Sequence, residues 1–185
     1  MYKDLDELQL VRRCCECDEL AIDELYRRYS ERLMSLCKRY TNSLEDAEDL
    51  VQDTMIKALE KMLRFHPRGE GALYSWLRRI AINLAIDAIK KRRRMAKATE
   101  YFLLETIPEP TTEEISNIPD DVMMAMIASL PEVRRAVFNL YCIEGYTHKE
   151  IGRMLGISEK GSASALAKVR VQLQKEIRRY LNEEQ

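Results

Sequence analysis

Five consecutive cations, Lys90 to Arg94, close a segment that opens on Tyr74 and Trp76. A helix end interacts favourably with one or two cations, at about 0.3–1 kcal/mol each, so the helix dipole does not account for five. Repulsion along such a run is relieved most naturally by a polyanion. Aromatics beside cations suit unstacked bases better than a smooth duplex, because a ring takes the base face while the charge takes the phosphate. Among Phe65, Tyr74 and Trp76, burial is expected for at least one, with Trp76 the expected core residue; exposed members can stack on bases. No nucleophile stands with a spaced His and carboxylate, and no glycine-rich phosphate loop is present. Cys14, Cys15 and Cys17 lie too close in sequence for paired metal-ligand spacing with His66 or His148. Catalysis, a metal and a cofactor are therefore not expected.

The cations must be positioned by a helix. Leu73, Leu77, Ile80, Leu84 and Ala88 recur at steps of three and four, which buries one face and leaves Arg78, Arg79, Asn83 and Asp87 elsewhere around the axis. Two further stripes precede it: Ile22, Leu25, Tyr29, Leu33, Leu36 and Tyr40, then Ala47, Val51, Thr54, Ala58 and Met62, with Asn42 and Ser43 supplying capping oxygens between them. Pro67, Gly69 and Gly71 break the chain before the cationic helix, and a short helix from about Asp4 to Cys17 is expected at the start. From Lys97 to Asp121 periodicity fades among acids, threonines and Pro108, Pro110 and Pro119, the composition of an extended linker. Beyond it Val122–Ser129 reads as a helix, Pro131 as the first position of the next, and Gly145 as its end. In the segment that follows, Ile151 and Leu155 make one short apolar face, Gly152 allows close approach, Gly156 a tight turn, and Ser158 caps a last helix carrying Leu166, Val169, Leu173, Ile177 and Tyr180. This is the shape of a helix-turn-helix, whose second helix enters a major groove. Small residues alone fit an ordinary helical hairpin; Lys149, Lys160, Lys168 and Arg170 around the groove-facing helix favour DNA.

Thirty basic against thirty-one acidic side chains give a formal charge of −1 over 185 residues, but the charges are segregated. Glu45, Asp46, Glu48, Asp49 and Asp53 crowd one helix start without a base, and the linker is likewise acidic. The dipole favours acids in a first turn but explains Asp53 less easily, so a solvated face and a surface for a basic protein partner both remain open. An acidic start without an apolar run does not read as a signal peptide, no stretch approaches membrane-spanning length, and the odd, crowded cysteines do not read as a disulfide framework. A cytoplasmic protein without membrane insertion is expected.

The motifs DAEDLVQDTMIKALEKM, SWLRRIAINLAIDAIKKRRR and LPEVRRAVFNLYCIEGYTHKEIGRMLGISEKGSASALAKVR, in this order around an acidic linker, resemble the small two-domain bacterial sigma factors of the extracytoplasmic-function group, over about Ala21 to Leu181. The resemblance implies an all-α protein of two small helical domains: residues 1–96 as region 2, 97–121 as linker, and 122–185 as region 4, a winged-helix-like helix-turn-helix. It implies core RNA polymerase and promoter DNA as partners, commonly with an anti-sigma factor. Asp46, Asp49, Gln52 and Asp53 would meet the polymerase; Tyr74, Arg78, Arg79, Asn83, Asp87, Lys90, Lys91, Arg92, Arg93 and Arg94 would handle the minus-ten element; Lys149, Ser158, Lys160, Ser162, Ser164 and Lys168 would lie at or near the minus-thirty-five groove. Where many members carry Gly-Thr-Val-Lys-Ser-Arg, this chain has Lys160, Gly161, Ser162, Ala163, Ser164 and Ala165, so two cations that commonly face DNA are missing. Gly161 is expected to weaken that first turn by about 1 kcal/mol relative to Ala. A stand-alone helix-turn-helix regulator is the alternative.

Overall fold

A computed structural model describes residues 2, 5–66, 69, 71–95 and 118–183. The chain forms two compact units, residues 1–87 and 88–185. The first holds α1 (Glu7–Cys15), α2 (Glu19–Lys38), α3 (Leu44–Lys61), a 3-10 turn (Met62–Arg64) and most of α4 (Ala72–Met95). Each of the first three helices starts on an oxygen its sequence provides. The Asp6 and Gln9 side chains form a reciprocal capping box on α1, Asp18 accepts from the backbone N–H of Leu20 and Ala21, and Ser43 accepts from that of Asp46. Between α1 and α2 the chain turns through Cys17 at φ 58°, with Asp18 N donating to Arg13 O and Cys17 N to Cys14 O, both at 3.1 Å. That is a Schellman ending with cysteine where glycine is usual. Burial pushes the Cys14 thiol up to about 11 and Cys37 up to about 12, so both stay protonated.

The stripes expected for α2 and α3 are inside except at Ile22, which is half-buried: Leu25, Tyr29, Leu33, Leu36 and Tyr40 on one, Ala47, Val51, Thr54 and Ala58 on the other. Buried Thr54 satisfies its hydroxyl by donating to Leu50 O at 2.6 Å. In α4 the expected Leu84 and Ala88 are only half-buried. Ala81, Ile82, Ala85, Ile86 and Ile89 are buried instead, because the inward row runs at steps of four from Leu73 and Leu77 and drifts around the axis. Trp76 is half-buried too, which corrects the expectation that it fills the core.

Glu24 ties the amino-terminal segment to α2. Its buried carboxylate accepts from Arg27 and Arg28, and the Arg28 guanidinium also donates to the carbonyls of Leu5 (2.7 Å) and Tyr2 (2.8 Å).

The second unit contains α5 (Asp120–Ala128), α6 (Glu132–Phe138) running into a π-helical turn (Asn139–Ile143), α7 (His148–Leu155) and α8 (Glu159–Glu183). Ile118, Met126 and Ile177 form one cluster, with Val122, Met123, Leu173, Tyr180 and Leu181 packed around it. Pro131 is the N-cap of α6 and not its first helical residue. Buried Arg135 donates to Ala128 O at 2.7 Å, placing a cation on the last residue of α5.

α7 and α8 are joined as the sequence predicts. Thr147 and Glu150 make a capping box, Gly156 takes φ 64°, and Ser158 Oγ accepts from Gly161 N at 2.9 Å. A Cβ on Gly152 would sit 2.9 Å from Ile157 O, closer than real contacts allow. Among the described residues no strand is present, so this helix-turn-helix carries no β wing, and no helix is long and apolar enough to cross a membrane. Most of the expected linker lies outside the described residues.

Hydrogen bonds from Arg27 and Arg28 hold the Glu24 carboxyl at about 2, below its ordinary 4.5. A depressed carboxylate stabilises fully above its unfolded pKa, and that contribution is lost as pH falls through the folded one. The stability gap between the wild-type chain and Glu24→Gln should therefore narrow from pH 4.5 toward 2 in thermal unfolding; a pH-independent gap would refute it. Gly152→Ala should cost about 1–3 kcal/mol in denaturant unfolding, since the clash is with backbone that cannot rotate away; an unchanged midpoint would show that the turn relaxes freely.

Candidate polymerase and nucleic-acid interfaces

On α3 the buried stripe sets the phase, and Asp46, Asp49, Gln52 and Asp53 all emerge exposed. Ile56 stands with them, 57 % exposed, three residues after Asp53 and four after Gln52, so it shares their face. Ile56 is absent from the residues expected at this surface. Its one signal in the sequence is a position out of phase with Ala47, Val51, Thr54 and Ala58. An acidic helix face centred beside an exposed isoleucine repels phosphate and suits a protein surface with basic side chains around an apolar contact.

At the start of α4 the aromatics divide into two groups. Tyr74 is committed within the fold: its ring stacks on Tyr29 with centroids 6.4 Å apart, and the Arg32 guanidinium lies 3.7 Å from its centroid. Glu7 anchors this stack by accepting from Tyr29 Oη and from Leu73 N, both at 3.3 Å, and burial together with that carboxylate pushes the Tyr29 phenol up to about 12. Phe65 and Trp76 pack at 4.9 Å on one side of a 330 Å³ cleft whose other walls are Arg64, His66, Ser75 and Arg79. His66 Nδ1 is 2.9 Å from Arg64 O, so that nitrogen carries the proton. The open, cation-lined aromatic site is thus the Phe65–Trp76 cleft and not Tyr74. Arg79, Asn83 and Asp87 continue from Trp76 along the exposed side of α4, while Arg78 and Lys90 are half-buried.

Lys91, Arg92, Arg93 and Arg94 are exposed on the final turns of α4. They are not uniformly solvated. Within the second unit Arg92 pairs with Glu132 at 2.6 Å, and Arg93 donates to the carbonyls of Leu155 and Gly156.

On the helix-turn-helix, Lys149, Ser158, Lys160 and Ser164 are exposed and Lys168 is half-buried. Ser162 departs from the expectation. It is fully buried, its Oγ 3.0 Å from Nδ1 of His148, whose ring stacks on Tyr141 at 4.4 Å and 13°. Its hydroxyl faces α7, so it cannot reach a groove. Ser158 Oγ accepts from Gly161 N in its helix cap and keeps its own O–H to donate. The residues that share the outward face with Lys160 and Ser164 are Ala163 and Ala167.

The family model of Sigma-70 region 2 matches residues 25–95, and that of Sigma-70, region 4, matches 120–173. The chain is 31 % identical over 166 residues to the ECF RNA polymerase sigma factor SigE of Mycolicibacterium smegmatis, covering 87 % of this chain and 63 % of that one. It is 31 % identical over 157 residues to the ECF RNA polymerase sigma factor SigM of Mycobacterium tuberculosis, covering 84 % and 76 %. The sigma factor RpoE, in its co-crystal structure with the anti-sigma factor NepR from Bartonella quintana, shares the fold at 20 % identity, with a TM-score of 0.52 over 84 % of this chain and 96 % of that one. The chain belongs to the extracytoplasmic-function group of RNA polymerase sigma factors, and its function is that of an alternative sigma factor in transcription initiation.

If the α4 cations touch phosphate, replacing Lys91 and Arg94 with Gln should flatten the dependence of log affinity on log salt for promoter DNA. The slope should fall by about 0.9 for each duplex phosphate no longer neutralised, and by about 0.7 for each phosphate on a single strand. An unchanged slope in a salt titration would show that neither residue reaches the backbone.

Proposed function

We propose that this sigma factor docks on core RNA polymerase through the α3 face of Asp46, Asp49, Gln52, Asp53 and Ile56, and reads promoters with α4 and α8. The observation that carries the polymerase reading is the exposed Ile56 set among acids on the face opposite the α3 core. Residues 1–96 would act as the polymerase and minus-ten module, 97–121 as the linker, and 122–185 as the minus-thirty-five module. The Phe65–Trp76 cleft supports capture of an unstacked base from the melted minus-ten strand, with Arg64 and Arg79 on its phosphates. Tyr74 would hold the start of α4 in place through its stack. Lys149, Lys160 and Lys168 would position the duplex on the helix-turn-helix, which needs no catalytic chemistry of its own. The protein would work in the cytoplasm, and an anti-sigma factor, such as the one bound to RpoE in the solved relative, would compete for these surfaces.

The test is reconstitution. The purified chain mixed with core polymerase should form a complex and start transcription from a linear promoter; tight duplex binding without association or transcripts would make it a stand-alone regulator. Asp53→Ala and Ile56→Ala should each lower affinity for core polymerase at least about five-fold, the loss typical of a truncated interface anchor, while circular dichroism stays unchanged. Equal affinity would leave the α3 face as ordinary surface.

A further inference from the structure

The rotation of α8 about its axis is fixed by what it buries: Ser162 against His148, then Leu166, Val169 and Ile177. That phase turns Lys160, Ala163, Ser164 and Ala167 outward together, with exposed Glu159 and Arg170 at the edges. The commonest way to specify a base pair in a major groove is a forked cation on guanine O6 and N7. Of the four, Ala163, Ser164 and Ala167 cannot make that contact, because they end in methyls and a hydroxyl; Lys160, in the first turn, is the one long cation among them. A methyl has one distinctive partner in the groove, the C5-methyl of thymine, and a serine hydroxyl tolerates either a donor or an acceptor beside it.

Resting on the reading of α8 as the groove helix, we infer that Ala163 and Ala167 determine the upstream specificity of this sigma factor by packing on thymine methyls. Lys160 and Arg170 hold phosphates on either side, and Ser164 takes the base edge between. The upstream element is then centred on A·T pairs with thymines facing the two alanines, not on guanines. The small side chains also bring the helix backbone closer to the base edges than long cations would, which lets the methyl pairs meet at full van der Waals contact.

The test uses holoenzyme reconstituted from the full chain and core polymerase. Selection from duplexes randomised upstream of the minus-ten element should enrich a thymine-containing motif. In a selected duplex, replacing each central thymine with deoxyuridine removes one methyl and nothing else, and should weaken binding about four-fold per methyl buried. This measurement needs no altered protein. Ala163→Arg should move the preference at its position from thymine to guanine. Enrichment of a guanine-centred motif, or equal affinity for uracil and thymine duplexes, would overturn the methyl readout while leaving α8 as the groove helix. No upstream enrichment at all, with Lys160→Gln and Arg170→Gln both without effect, would overturn the groove-helix reading itself and this inference with it.

Discussion

The rotation of each helix about its own axis, set by the side chains it buries, is the constraint on which every functional surface of this protein depends. α3 buries Ala47, Val51, Thr54 and Ala58 with essentially no exposure, and small residues at those positions leave no freedom for the helix to roll. Asp49, Gln52, Asp53 and Ile56 can then only point away from the core. On α8 the pin is different in kind. A buried serine hydroxyl costs free energy unless it is bonded, and the partner it finds, His148, belongs to the preceding helix. The hydrogen bond therefore sets both the phase of α8 and its seating on α7, where Gly152 lets the two backbones meet.

Electrostatics acts on surfaces whose positions packing has already chosen. The near-zero net charge is a sum over an acidic α3 face and a basic α4 end, and at physiological salt each is felt only within about 8 Å. A partner approaching α3 meets carboxylates, and one approaching the end of α4 meets guanidinium groups. Glu24 shows the opposite use of charge. Its buried carboxylate is consumed by Arg27 and Arg28, and through Arg28 it secures the backbone at Tyr2 and Leu5.

Much of the fold was legible because helical periodicity and capping chemistry are local. The α2 and α3 stripes, the caps at Ser43 and Ser158, the left-handed Gly156 and the close approach at Gly152 all follow from residue type and spacing. What escaped depended on neighbours distant in sequence. Tyr74 and Trp76 look alike beside a cationic helix, yet Tyr74 is claimed by Tyr29 and Arg32 on α2 while Trp76 pairs with Phe65 across a cleft. Ser162 looks like a groove hydroxyl until His148 is placed next to it.

A fixed helix phase also changes what the missing cations on α8 mean. Taken as losses, Ala163 and Ala165 weaken attraction to phosphate, and Gly161 weakens the helix start. The structure separates these effects. Gly161 sits under the Ser158 cap, where an added Cβ would lie 3.1 Å from the capping oxygen, so glycine there avoids a crowded contact and offsets part of its propensity cost. Ala165 is half-buried and adds to packing. With α8 as the proposed groove helix, only Ala163 would trade a groove-facing charge for a methyl, and it would do so beside Ala167, on a helix whose phase is locked. Weaker nonspecific attraction to phosphate lowers affinity for every sequence alike, whereas methyl contacts favour particular bases, so on that proposal the substitution would shift the balance of α8 from strength of binding toward discrimination.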